Sequence, residues 1–332
     1  MAGRLSLALE RGIVTLPEDD AGPPLQDHFD TLVFGTTKDS DLAGLDRDRT
    51  ELFARYADAG EALDFARTNS PDSAKSIIVL APRSRQAQRA YLRRARDLTD
   101  GPIIVDGPKT HGIDALYREL RSRADVSEAW SKAHGKVFTV AGGDFSDWPD
   151  IDPAQHPDGW WRAPGVFSED GIDKASAFLA ETLPASLSGT VIDLGAGWGY
   201  LSRAILDHKD VTALHLVEND RLALDAARLN VTDPRAEFHW ADALAWRPEA
   251  PVDHVITNPP FHQGRAADPS LGQAFIRAAA AMLKPKGQLW LVANRHLPYE
   301  GTLKDAFRTV ELHTESPSFK IFHAKSPTRS KG

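Results

Sequence analysis

The heptapeptide Asp193-Leu194-Gly195-Ala196-Gly197-Trp198-Gly199 is followed about sixty residues later by Asn258-Pro259-Pro260-Phe261. Glycines at alternate positions permit positive φ and let a backbone approach a ligand closely. The spacing is Gly-x-Gly-x-Gly, whereas the commonest competitor, a dinucleotide site, reads Gly-x-Gly-x-x-Gly. Asp193 would repel a pyrophosphate but suits a cofactor that carries a sulfonium and an ammonium group. Pro259 and Pro260 cannot continue a central strand, because each lacks a backbone donor. They stiffen a corner at which the Asn258 side chain and the Pro259 carbonyl can accept both hydrogens of an NH2 group. Phe261 can stack on a flat base. Together these residues imply direct, in-line methyl transfer from S-adenosylmethionine to a planar exocyclic amine, with positioning supplying most of the rate.

Further candidates cluster around these two segments. Glu218 ends the run Leu214-His215-Leu216-Val217, nineteen residues past Gly199. A carboxylate there suits ribose hydroxyls, or is a solvated acid. Asp242 follows the next apolar run and can accept from an adenine amino group, or cap a turn. His262 is a proton acceptor or polar lining, and Arg265 a phosphate contact or loop decoration. The segment Pro164 to Asp173, with Phe167 in it, wraps the cofactor from the far side or is a linker ending in a capping Asp. In the first half, Arg85, Arg89, Arg93 and Arg96 recur at helical spacing with no acid among residues 83–96. That face is either a guanidinium stripe for RNA phosphates or a solvated surface.

These residues need a scaffold that brings strand ends together. The second half alternates strands (Thr190 to Leu194, Thr212 to Val217, Ala236 to Trp240, Val252 to Thr257, Gln288 to Val292) with helices (Tyr200 to Asp207, Arg221 to Leu229, Leu271 to Leu283). Val310 to Leu312 and Phe319 to His323 are read as a terminal antiparallel pair. Such alternation predicts an α/β sheet with helices on both faces, and ligands bind at the carboxyl ends of its strands. The first half alternates as well, with strands at Thr31 to Phe34, Ser76 to Leu80, Pro102 to Val105 and Lys136 to Ala141. Helices are expected over Arg49 to Asp58, Gln86 to Asp97 and Ile113 to Arg123. It has neither the glycine turn nor the Asn-Pro-Pro corner. Two tandem Rossmann-like domains are therefore expected: a degenerate copy over 1–150 and a catalytic, seven-stranded class I sheet over 151–332. The Pro- and Asp-rich stretch Asp144 to Pro164 forms the seam.

Composition removes several alternatives. The absence of cysteine rules out disulfides, thiolate metal sites and a cysteine nucleophile, and with the last goes C5 methylation of cytosine through a cysteine adduct. No metal is expected. The formal charge of −8 divides into −5 over residues 1–150 and −3 over 151–332. Any RNA contact is then a local patch. No apolar run is long enough for a membrane span and no secretory leader is evident, so a cytoplasmic protein is expected. A monomer is the default expectation, since the sequence itself is silent on oligomeric state.

With these residues placed, the chain resembles the bacterial ribosomal RNA guanine-N2-methyltransferases, above all the enzyme acting on small-subunit helix 34. Its large-subunit sister shares the motifs. Phe167 and Gly171-Ile172-Asp173 match the family's segment ahead of the cofactor motif. Asp193 to Gly199 matches that motif, and Asn258 to His262 the catalytic one. Val292-Ala293-Asn294-Arg295-His296-Leu297-Pro298-Tyr299 and Phe319-Lys320-Ile321 are also similar, while the N-terminal half matches loosely. The resemblance implies two similar α/β domains, the first without cofactor. It implies transfer of methyl from S-adenosyl-L-methionine to guanine N2 in ribosomal RNA, 16S favoured, on an unpaired or flipped base. Asn258, Pro259 and Phe261 would then be catalytic. Phe167, Asp193, Gly195, Gly197, Glu218, Asp242 and Asn258 would hold the cofactor, and Phe261, His262, Arg265, Arg85, Arg89 and Arg93 the RNA. The rivals are adenine-N6 or protein-glutamine N-methylation, and a non-catalytic RNA-binding assembly factor.

Overall fold

A computed structural model describes residues 3–17, 29–260 and 269–328. The chain divides into two units. The first comprises residues 1–153 with 163–165, and the second 154–162 with 166–332.

The first unit opens with helix α1 (Arg4–Glu10) and is built on strands β1 (Thr31–Phe34), β2 (Thr50–Phe53), β3 (Ala66–Thr68), β4 (Ser76–Leu80) and β5 (Ile103–Pro108). Three further strands complete it: β6 (Asp125–Val126), β7 (Trp130–Lys132) and β8 (Gly135–Ala141). Helices α2 (Ala57–Leu63), α3 (Arg85–Leu98) and α4 (Ile113–Leu120) lie between strands. The sheet order is β3-β2-β1-β4-β5-β8-β6, with β7 paired to β8. The helix expected over Arg49 to Asp58 is instead β2 followed by the first residues of α2. Leu52 and Phe53 are buried, and β2 runs parallel to β1 with Val33 beside Leu52. Burial on both faces of a parallel sheet overrides the helical pattern.

The second unit begins with a two-stranded ribbon, β9 (Ala154–Gln155) and β10 (Trp161–Arg162), then α5 (Lys174–Thr182). Its sheet contains β11 (Gly189–Leu194), β12 (Val211–Glu218), β13 (Ala236–Trp240), β14 (Val252–Thr257), β15 (Leu283–Asn294), β16 (Phe307–Glu315) and β17 (Phe319–Pro327). Helices α6 (Tyr200–Leu206), α7 (Arg221–Asn230), α8 (Pro269–Met282) and α9 (Glu300–Ala306) connect them. The order is β13-β12-β11-β14-β15-β17-β16, parallel as far as β15, with β17 antiparallel to both its neighbours. This is the seven-stranded class I methyltransferase sheet. The first unit repeats the order 3-2-1-4-5 of its parallel part, so the tandem architecture holds.

Side chains alternate between two apolar layers. Val191, Leu214, Leu216, Ile256 and Trp290 pack with α5, α6 and α7, and Ile192, Leu194, Val217, Val255 and Leu289 pack with α8 and α9. Both faces of β11 and β14 are thus dry, which explains their nearly uninterrupted apolar runs. The chain leaves β11 towards β12 and β13, then returns to place β14 on the other side of β11. The strand order reverses between β11 and β14, the position at which an open α/β sheet forms a ligand crevice. No helix among the described residues is long and apolar enough to cross a membrane.

Candidate active site

Adjacency of β11 and β14 brings the two chemical segments together. Asp193 lies beside Ile256 in parallel register, so the glycine turn and the Asn258 corner leave neighbouring strand ends. The Thr257 hydroxyl donates to the Leu194 carbonyl at 2.7 Å, a buried bond that ties the two exits.

The glycines of the turn share one backbone requirement, and Gly197 and Gly199 each meet a further one. All three have positive φ: +80° at Gly195, +56° at Gly197 and +90° at Gly199. A Cβ on Gly199 would come within 2.9 Å of Val231 and 3.3 Å of Ala227, so this glycine admits α7. A Cβ on Gly197 would meet no atom within 4 Å. Gly197 therefore borders open space, and its amide donates to Glu218 Oε2 at 2.8 Å. Glu218 Oε1 accepts from the Asp220 amide, also at 2.8 Å. Burial and the nearby Asp220 push the Glu218 carboxyl up to about 7, against the bonds from these amides.

Asp193 is fully buried, and its Oδ2 accepts from the Ser202 hydroxyl at 2.6 Å. Oδ1 is a buried acceptor with no partner among the described residues. Desolvation raises this carboxyl to about 7. The Asp193–Ser202 bond joins the end of β11 to the start of α6 and so braces the turn from both sides. Asp242 uses Oδ1 to cap the Leu244 amide at 2.9 Å, just past the end of β13.

The segment containing Phe167 is anchored to the turn, since Trp198 Nε1 donates to the Phe167 carbonyl at 3.0 Å. The Phe167 ring itself is 51% exposed, and Ile172 is 42% exposed. Asp173 then caps α5 through the Ser176 amide at 2.8 Å. Asn258 Nδ2 donates to the same Asp173 oxygen and to Ser176 Oγ, both at 3.0 Å. With both amide hydrogens engaged, the Asn258 orientation is fixed and Oδ1 is turned away as the acceptor.

Asn230 was not singled out by the sequence. Its Nδ2 donates to the carbonyls of Trp161 and Trp198 at 2.8 Å each, and its Oδ1 accepts from the Trp161 amide. It fastens β10 to the glycine turn from the end of α7. An Asn at a helix end carries no signal of that role.

Phe261, His262 and Arg265 lie outside the described residues. In the first unit, the arginine row is met by acids from other elements. Arg85 and Arg89 bridge Glu119 of α4. Arg93 donates to the Trp148 carbonyl at 2.7 Å and lies 3.4 Å from Asp150. Arg96 closes α3 on the Thr99 and Gly101 carbonyls. Arg85, with a side chain 60% exposed, is the most open of Arg85, Arg89 and Arg93.

Comparison with known proteins identifies the family. Residues 160–323 match the methyltransferase small domain family. A ribosomal RNA small subunit methyltransferase C from Shewanella piezotolerans is 31% identical over 261 residues, covering 74% of this chain and 76% of the relative. The chain belongs to this methyltransferase family. A second member, from Shewanella halifaxensis, is 29% identical over 311 residues, covering 89% of this chain and 91% of its own. The same fold is found in the T. thermophilus 16S rRNA N2 G1207 methyltransferase (RsmC), solved in complex with AdoMet and guanosine. Its TM-score is 0.75 at 22% identity, covering 89% of this chain and 87% of that one. Family membership makes the protein an S-adenosylmethionine-dependent methyltransferase. The open face of Gly197 and the acceptor pair at Glu218 and Asp242 suit a nucleoside-bearing cofactor.

Proposed function

We propose that the chain methylates the N2 amine of a guanine in 16S ribosomal RNA. The observation that carries this reading is the fixed Asn258 amide at the end of β14, tied through Thr257 to the glycine turn of β11. It supplies an acceptor at the crevice where the cofactor's methyl would lie. S-adenosylmethionine, when bound, supplies an electrophilic methyl group on a sulfonium.

The residues of the chain do the rest. Gly197 admits the cofactor, Glu218 accepts its ribose hydroxyls, and Asp242 takes the adenine amine through its second oxygen. Asp193 supports the turn from within the wall, and Phe167 covers the cofactor from the side. Asn258 Oδ1 and the Pro259 carbonyl accept from the guanine NH2. That grip turns the nitrogen lone pair to the methyl carbon and stabilises the positive charge that grows on nitrogen during attack. On sequence grounds, Phe261 is assigned to stack the base, His262 to contact it and Arg265 to meet an RNA phosphate. The N-terminal unit has only Gly35 after β1, where a Cβ would strike the Leu80 carbonyl at 2.1 Å. That glycine serves packing, and the unit's assigned role is structural support and RNA contact.

Labelled S-adenosylmethionine with isolated small and large ribosomal subunits, followed by nucleoside mass spectrometry, tests the reading. N2-methylguanosine in small-subunit RNA is expected. Label in N6-methyladenosine or in protein would overturn the substrate. Absence of cofactor binding by calorimetry would overturn the enzyme.

A further inference from the structure

On the edge side of the C-terminal sheet, His215 of β12 stands beside Glu237 of β13 in parallel register, and His239 follows two residues on. Side chains i and i+2 of a strand share a face, so all three converge. His215 Nδ1 is 3.1 Å from His239 Nε2 and 3.3 Å from Glu237 Oε2, and His239 Nε2 is 4.0 Å from the same oxygen. A tetrahedral ion with ligand bonds of about 2.0–2.1 Å requires ligand atoms about 3.3 Å apart. The observed triangle has nearly that size before any ion enters.

We propose that His215, Glu237 and His239 form a binding site for a divalent transition-metal ion of the zinc class, with a fourth position open to water. Two imidazoles and one carboxylate are a donor set matched to such ions and poorly matched to calcium or magnesium, which take oxygen ligands. The imidazoles are already ordered. The Trp246 ring lies 4.7 Å from His239 and 5.9 Å from His215 between ring centres, and the His side chains are 26% and 17% exposed. Glu237, 59% exposed, closes the site from the solvent side. An ion here would pin edge strand β13 to β12. Strand β13 leads to Asp242, so metal would stabilise the rim of the crevice without touching the Asn258 corner.

The full-length protein, stripped with a chelator, is titrated with Zn2+ by calorimetry and with Co2+ by visible absorption. One equivalent should bind, with the intense bands of four-coordinate Co2+, and thermal unfolding should shift upward with zinc. His239→Ala should weaken binding by about 100-fold and Glu237→Gln by about 10-fold. Glu237 is a surface side chain, so its variant reports on metal without threatening the fold. A second His-containing group, Glu311, His313 and His323, provides the control, and His313→Ala should leave affinity unchanged. Binding that is equally tight in the His239→Ala and Glu237→Gln variants, or that disappears with His313→Ala, would overturn the proposal, as would no binding at all.

Discussion

Asn258 Nδ2 donates to Asp173 Oδ2 at 3.0 Å across 85 residues of sequence. The same carboxylate oxygen caps α5. One acid thus fixes both the start of a helix and the direction of the amide that would face the substrate amine.

Removing that acid should separate orientation from binding. In Asp173→Ala, the lost cap costs about 1 kcal/mol of stability, and the Asn258 amide keeps only its bond to Ser176 Oγ. Turnover should fall by about 10–100-fold with cofactor affinity within a few-fold. Asn258→Ala removes the acceptor itself and should reduce turnover by at least 10²–10³-fold. Single-turnover methylation and calorimetry check both. Unaltered rates in Asp173→Ala would show that the Asp173 bond has no part in orienting the amide.

The glycines should respond differently to the same substitution. Gly197→Ala forces alanine into the left-handed region, which costs about 1–2 kcal/mol, and its methyl would project into open space where the cofactor is expected. Cofactor affinity should drop markedly while the fold survives. Gly199→Ala adds a steric conflict with Val231 and Ala227, so it should lose a further 1–3 kcal/mol or so. Urea unfolding midpoints beside calorimetric affinities distinguish the two. Equal affinity of wild type and Gly197→Ala would remove that residue from the cradle.

Much of this site was legible because its parts are local. Strands β1, β4 and β14 coincide with their expected limits, since dry parallel strands read as short apolar runs with a Gly or Pro within two residues of their ends; the partly exposed edge strand β13 coincides as well. Contacts between distant segments were not legible. Thr257 to Leu194, Asn258 to Asp173 and Asn230 to Trp198 depend on strand order and on where a loop returns. The register that sets His215 beside Glu237 is likewise absent from the linear pattern, because one residue of slippage would place the side chains on opposite faces. The helix expected at Arg49 to Asp58 failed for a related reason: burial against β1 decides the conformation of Leu52 and Phe53.

Two carboxyls raised to about 7 give the protein a specific pH response. In the folded state, Asp193 and Glu218 hold protons that the unfolded chain releases near 4. Between roughly pH 4.5 and 7 the folded form binds more protons, so their contribution to stability falls as pH rises, and levels off above 7. Ribose hydroxyls donating to Glu218 favour its ionised form. Cofactor binding should therefore release a proton, and below pH 7 affinity should rise by up to about tenfold per unit. Glu218→Gln should bind more weakly and flatten that slope. Calorimetry across pH 5.5–8.5, roughly this window, gives the answer, and a wild-type affinity independent of pH would reject the ribose role.

The arginine row of α3 makes separable claims. Arg93 donates to the Trp148 carbonyl and Arg89 bridges Glu119, so Arg93→Gln should chiefly lower the stability of the fold, by about 1 kcal/mol for the lost bond. Arg85 is paired with the same Glu119 but is more open to solvent, so it can exchange that partner for a phosphate at little desolvation cost. Arg85→Gln should weaken RNA binding and reduce the slope of log K against log salt by about 0.7–0.9, the value for one phosphate contact. Binding measured at several salt concentrations, with unfolding curves for each variant, resolves the two effects. A slope unchanged by Arg85→Gln would leave the row as a brace between α3, α4 and the Trp148 to Asp150 segment, with RNA contacted elsewhere.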